Sequence, residues 1–275
     1  MNSDVQIVGA GSYALLLDPL PSAAIGVRGV RSNLVVGYTG TSGVVSVTAT
    51  ELSLESAFGS YITLKNLNLS ATSGNASGAA NSLDTGSWAY STWYYLFVIY
   101  NPTTSTSALL WSLSATSPTL PSGYTYFSMV SVNKTQSATN YWFLGGTQTD
   151  RVFQPKVNGS SNVLGLPLIA SGAAGSISTP TWVAIGLGSA VPPNTCRVAL
   201  LPLVSTSPAT IIAAPNNSYG VANSTSNPPP LFFQNVTSGG VSSYPVWMTL
   251  ESTSVYWASS AAGCYLFLSA WELNL

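Results

Sequence analysis

Charge is the scarcest thing in this sequence. Only 5% of its 275 residues are Asp, Glu, Lys or Arg, against roughly a quarter in an average soluble domain. Seven basic and eight acidic residues leave a net charge of −1, so no long-range field draws the chain to nucleic acid or to an anionic membrane. So weakly charged a surface repels its own copies poorly, and the chain is expected to live in an assembly whose interfaces cover apolar area. Histidine is absent and cysteine occurs twice. That excludes Ser-His and Cys-His nucleophiles, histidine acid–base chemistry and soft-metal sites, and no cofactor is expected. Long apolar runs are missing too. A membrane helix needs about 20 consecutive apolar residues, whereas Trp93 to Tyr100 and Val198 to Val204 are of strand length. No basic leader precedes them at Met1-Asn2-Ser3-Asp4, so the chain is expected to fold in a cytoplasm without membrane insertion.

What is present is Ser, Thr, Asn and Gly between short runs of aromatic and β-branched residues, which predicts strands separated by turns. Val45, Val47 and Ala49 alternate with Ser46, Thr48 and Thr50, and Tyr61 to Leu69 alternates after a break at Gly59. Further strands are expected at Trp93 to Tyr100, Ala108 to Leu113, Tyr141 to Leu144, Val163 to Ala170, Thr181 to Leu187, Arg197 to Val204, Val246 to Leu250, Val255 to Ala258 and Cys264 to Leu273. Gly145-Gly146 reads as a turn, and the long interruption Pro215 to Pro230 as a surface excursion stiffened by Pro228-Pro229-Pro230. The expectation is therefore an all-β fold of two β-sandwich or jelly-roll-like domains, 45–155 and 156–275, behind an extended N-terminal arm, 1–44. Gly9-Ala10-Gly11-Ser12-Tyr13-Ala14 has the spacing of a dinucleotide-binding loop, but Pro19 and Pro21 interrupt the helix that loop requires and no acidic residue follows at the right distance. Cys196 and Cys264 read as free thiols, or as a bridge if their strands are neighbours.

The carboxylates are scattered, and no catalytic residue is expected. Glu51 and Glu55 read as edge residues and Asp84 as a turn former, so the pair a glycosidase needs is not evident. Aromatic side chains are the better candidates for contact with a ligand. Trp88, Tyr90, Trp142 and Tyr219 stand among Asn, Ser and Gly and could stack on sugar rings, against the alternative that such side chains form core or subunit interface. Seven Asn-x-Ser/Thr sequons, at Asn68, Asn75, Asn133, Asn158, Asn216, Asn223 and Asn235, are expected by chance in a chain so rich in Ser and Thr.

One stretch carries a resemblance. Leu83-Asp84-Thr85-Gly86, Trp93-Tyr94-Tyr95, Asn101-Pro102-Thr103-Thr104 and Ser114-Ala115-Thr116-Ser117-Pro118-Thr119-Leu120-Pro121-Ser122-Gly123-Tyr124 resemble a module of tailed-bacteriophage virion appendages, above all tail fibres. The likeness covers about a fifth of the chain, with fainter similarity beyond. Ser105 stands where Gly is frequent, and the strand from Phe127 to Val132 lacks the usual arginines. The resemblance implies a non-enzymatic structural protein of the virion, made in the bacterial cytoplasm. It would be assembled as a homotrimer with other virion proteins in a tail fibre or tail tip, and could adhere to a host-surface glycan. A capsid decoration or head-fibre protein is the alternative, and a carbohydrate-binding module or depolymerase a third reading.

Overall fold

The computed structural model describes residues 30–179, 181–236, 241–242 and 244–275. The fold is all-β: nineteen strands and no helix occur among the described residues. A 15-stranded hydrogen-bonded network holds most of them, and a separate four-stranded sheet joins Val183–Gly186, Ser254–Ser259, Ala209–Ala214 and Leu231–Asn235 in that spatial order.

Strand Val44–Ser56 is the spine of the first half. Its Val45, Val47 and Ala49 face inward, at 5% exposure or less, while Ser46, Thr48 and Thr50 face water, as a period of two dictates. Tyr61–Thr72 lines one edge along its whole length. The other edge is shared in turn by Val35–Tyr38, Arg31–Ser32 and Tyr126–Lys134. Past Thr50 the inward residues become Leu52 and Leu54, where the partner strand carries Asn66 at φ 52°, a left-handed backbone that Asn tolerates better than most residues.

The apolar run Trp93–Asn101 pairs with Thr106–Ser112 and Tyr126–Lys134. Both of its faces are buried, which explains its unbroken hydrophobicity. Tyr94, Leu96 and Val98 enter the main core with Leu109, Trp111 and Val130. Phe97 and Ile99 enter a second, smaller core with Ala108 and Leu110, against which Leu120 and Tyr124 of the following corner pack.

The Asn101 to Thr106 turn is held by the Asn101 side chain, whose Oδ1 accepts from the N–H groups of Thr103 and Thr104 at 3.0 and 3.3 Å. Ser105 then takes φ 54°, the conformation in which a Cβ is penalised. Ser105→Gly is expected to stabilise the protein by about 0.5–1 kcal/mol, a rise in melting temperature of about 2 °C by calorimetry.

Of the expected arm, residues 30–44 are woven into the sheet, because Leu34 and Val36 are completely buried and Val35–Tyr38 bonds strands on both sides. Residues 1–29, with the Gly9 to Ala14 stretch, lie outside the described residues. The expected domain boundary near Pro155 falls at the end of strand Val152–Pro155, which pairs with the C-terminal strand Cys264–Leu273. There Phe153 stacks on Trp271 at 4.6 Å, and one core cluster runs from Leu34 to Leu273. The expected strand Tyr141 to Leu144 is reduced to a single bridge at Phe143. Gly146 opens strand Gly146–Thr149 instead of making a turn. The reason is contact: a Cβ on Gly146 would lie 2.2 Å from the Phe153 ring, so the glycine serves close packing.

Candidate functional site

The four aromatic candidates separate into core and surface. Trp88 is 9% exposed and lies among Tyr94, Trp111, Tyr141 and Phe143 at ring distances of 4.9 to 6.5 Å. Its indole N–H donates to the Asn75 carbonyl at 2.9 Å, so Trp88 is a core residue with no free face for a sugar. Tyr90 is exposed and Trp142 half-buried. Their loops adjoin, because Thr135 bonds Ser91 and Thr92 on one side while Gln136 donates to the Trp142 carbonyl on the other.

Tyr219 is half-buried in a different place, the 215–230 loop. With Asn216, Ser218, Ser226, Asn227 and Pro228 it lines an open cleft of about 450 Å³. The loop is fastened from within. Asn227 donates to the Ser218 carbonyl at 2.9 Å and accepts from Ser224, Asn216 donates to Glu251 at 2.7 Å, and Trp182 donates to the Tyr219 carbonyl at 3.0 Å. Both amides are thus engaged in holding the loop, and the Tyr219 ring and the serine hydroxyls are what the cleft presents.

Several of the described carboxylates have structural partners. Glu51 pairs with Lys65 and Glu272 with Arg197, each at 3.2 Å, and Glu55 accepts from the Tyr61 hydroxyl at 3.1 Å. Asp84 is 6% exposed, and its two oxygens accept from Thr85 and Thr119 at 2.7 and 3.0 Å. Among the described residues no three His, Cys, Asp or Glu side chains gather as metal ligands. Cys196 and Cys264 are free. Their strands are neighbours, but the thiols stand at opposite ends of the ladder, Cys264 opposite Val204 and Cys196 beside the Thr195–Leu273 pair. Sequons Asn133 and Asn235 are 1% and 3% exposed and have no room for a glycan.

A third feature was not legible in the sequence. An open groove of about 500 Å³ has an apolar floor of Phe97, Phe127 and Met129, with Ser53, Glu55, Tyr61 and Arg31 among its walls. Burial pulls the Arg31 guanidinium below its ordinary range, as does Arg151, against a raising effect of Asp150.

A buried polar chain crosses the sheet nearby in sequence. Tyr38 donates to Ser131 at 2.8 Å, Ser131 donates to Gln148 Oε1 at 2.6 Å, and Gln148 Nε2 donates to the carbonyls of Val130 and Asp150, both at 2.7 Å. Burial pushes the Tyr38 phenol well above the ordinary tyrosine range. The unfolded chain would ionise there near pH 10 while the folded one stays neutral, so this contribution is intact below about pH 10 and declines above it. Tyr38→Phe is expected to make the alkaline loss of stability shallower by one proton, about 1.4 kcal/mol per pH unit, read from urea midpoints at rising pH.

Set beside protein-family models, curated proteins and solved structures, the chain matches none of them.

Proposed function

We propose that this chain is a non-enzymatic structural protein of a tailed-bacteriophage virion, a multimeric tail-fibre or tail-tip component with sandwich-like packing of its sheets. The observation that supports this reading is that the motifs carrying the resemblance form one interlocked unit. Asp84 of the Leu83 to Gly86 turn accepts from Thr119 in the corner. Gly123 of that corner packs so tightly on Asn101 that a Cβ there would sit 2.5 Å from Asn101 Nδ2. Trp93–Asn101 and its partners lie between them, with a small core of their own. Motifs that contact one another behave as a module, which scattered chance matches would not. Scarce charge agrees with burial against copies of itself, and the resemblance adds a homotrimer as the form of that assembly.

The Tyr219 cleft favours a second element, adhesion to a host-surface glycan, since an aromatic ring beside hydroxyls is how a sugar's apolar and polar faces are both met. Labelled antibody on intact particles tests the main reading: signal on the tail is expected, signal on the capsid would mean a decoration or head-fibre protein, and absence from particles would overturn the proposal. A glycan array with wild type and Tyr219→Ala tests the second, binding that the substitution abolishes being expected and a flat array sinking it.

A further inference from the structure

We propose that copies of this chain join edge to edge through the four-stranded sheet, strand Leu231–Asn235 of one copy adding to strand Val183–Gly186 of the next, with Phe232 laid over Gly186. Those two strands are the outer members of the sheet. Leu187 N–H donates to the Thr253 carbonyl and Ser260 N–H to the Thr210 carbonyl. Counted by twos along the registers, these bonds turn the backbone of Val183 and Ile185, and that of Leu231 and Phe233, toward the strands inside. The N–H and C=O groups of Ala184 and Gly186 on one edge, and of Phe232 and Gln234 on the other, therefore point out of the sheet. They find no backbone partner among the described residues.

Three features single out a second copy as what completes these edges. The first is the absence of a guard. Exposed edges are ordinarily protected by charge, whereas Arg197 is the only charged residue from Val157 to Leu250. Phe232 and Val183 stand there instead, 49% and 41% exposed. The second is direction. Every pairing in the sheet is antiparallel, so the outer two of its four strands run in opposite senses, and rotation about an axis along the strands brings them together as another antiparallel pair. With Phe232 opposite Gly186, Gln234 falls opposite Ala184, and the outward groups of the two edges meet. The third is Gly186 itself. A Cβ there would meet nothing within 4 Å, and its φ is not positive, so nothing in the same copy calls for glycine inside a strand. Such a glycine marks a place where another backbone comes close, and an aromatic ring from the next strand covers it. The joined surfaces differ, so the contact is head to tail and a ring is its finite form. The pairing rests on the multimeric part of the proposed function and gives it an interface.

The test uses the purified full chain with Ala184→Pro or Gln234→Pro, read by light scattering on a size-exclusion column. Both N–H groups face outward, where an edge strand tolerates proline. Wild type is expected to run as a multimer and each variant as a monomer. An equal mixture of the two variants should run as a complex of two chains, because each supplies the edge the other lacks. Gly186→Lys and Phe232→Lys, at exposed positions, repeat the comparison should a proline variant fail to fold, and circular dichroism on every protein checks the fold. A multimer that survives either substitution, or a mixture that stays monomeric, would overturn the pairing alone. Wild type that is monomeric at every concentration would overturn the pairing and the multimeric reading together.

Discussion

Replacing Gln148 by leucine is expected to destabilise the protein by about 4 kcal/mol, because the side chain of Gln148 serves the buried Ser131 hydroxyl and Val130 carbonyl and the part-buried Asp150 carbonyl, and leucine serves none of them. Gln148 is completely buried, as is Ser131, which donates to it. Removing the amide strands the Ser131 hydroxyl and the carbonyls of Val130 and Asp150, each of which then bears a desolvation penalty of about 1–3 kcal/mol where no other partner is found. Leucine nearly fills the volume, so the loss reports polar dissatisfaction and hardly any cavity. Calorimetry should show a fall of about 10 °C in melting temperature. Tyr38→Phe, which removes a donor at the far end of the chain, should cost only about 1 kcal/mol. The decisive comparison is Gln148→Leu with Ser131→Ala and Tyr38→Phe together: deleting both hydroxyls, so that neither is left stranded, should recover part of the loss, a coupling that a purely steric defect would not show.

The network also explains how far the sequence could be read. Strands with strong local signals were legible: Trp93–Asn101, Thr195–Val204, Ser254–Ser259 and Cys264–Leu273 lie within a few residues of their expected places. Val152–Pro155, Ala209–Ala214 and Leu231–Asn235 were not. The first is four residues long and exists because Gly146–Thr149 and Cys264–Leu273 pair with it on either side, a long-range fact that no local window contains. Ala209–Ala214 is buried at every position, and its alanines show neither β-branching nor alternation. The same distinction separates the site residues. That Trp88 is core, and that Tyr219 sits in a cleft, depends on residues far away in the chain: Trp111, Tyr141 and Phe143 around the first, Trp182 and Asn227 around the second. The groove over Phe127 needed three strands to be placed before it existed at all.

Asp84→Ala should have the second large effect, about 3 kcal/mol, and its pattern should differ from that of Gln148. One carboxylate, 6% exposed, holds two backbone N–H groups that are 34 residues apart, Thr85 in its own turn and Thr119 in the corner. Hydrogen bonds to a charged acceptor are worth about 1.5–3 kcal/mol each, and alanine abolishes both while leaving the donors in place. The Thr85 bond is local and can be replaced by water once the turn loosens. The Thr119 bond is the one that fastens the corner, and the corner carries Leu120 and Tyr124 over the small core of Phe97, Ile99, Ala108 and Leu110. Losing it should free the corner before the rest of the protein unfolds, because the main core lies on the other face of strand Trp93–Asn101. The expected record is early proteolytic cleavage between Ser114 and Tyr124, increased binding of an apolar dye, and a main unfolding transition that moves less than the Gln148→Leu transition. Asp84→Asn should fall between wild type and Asp84→Ala, since an amide keeps a single acceptor oxygen for two donors. If Asp84→Ala instead lowered the main transition with no change in cleavage of the corner, Asp84 would be an ordinary turn residue, and the motifs that resemble a phage appendage would no longer count as one unit.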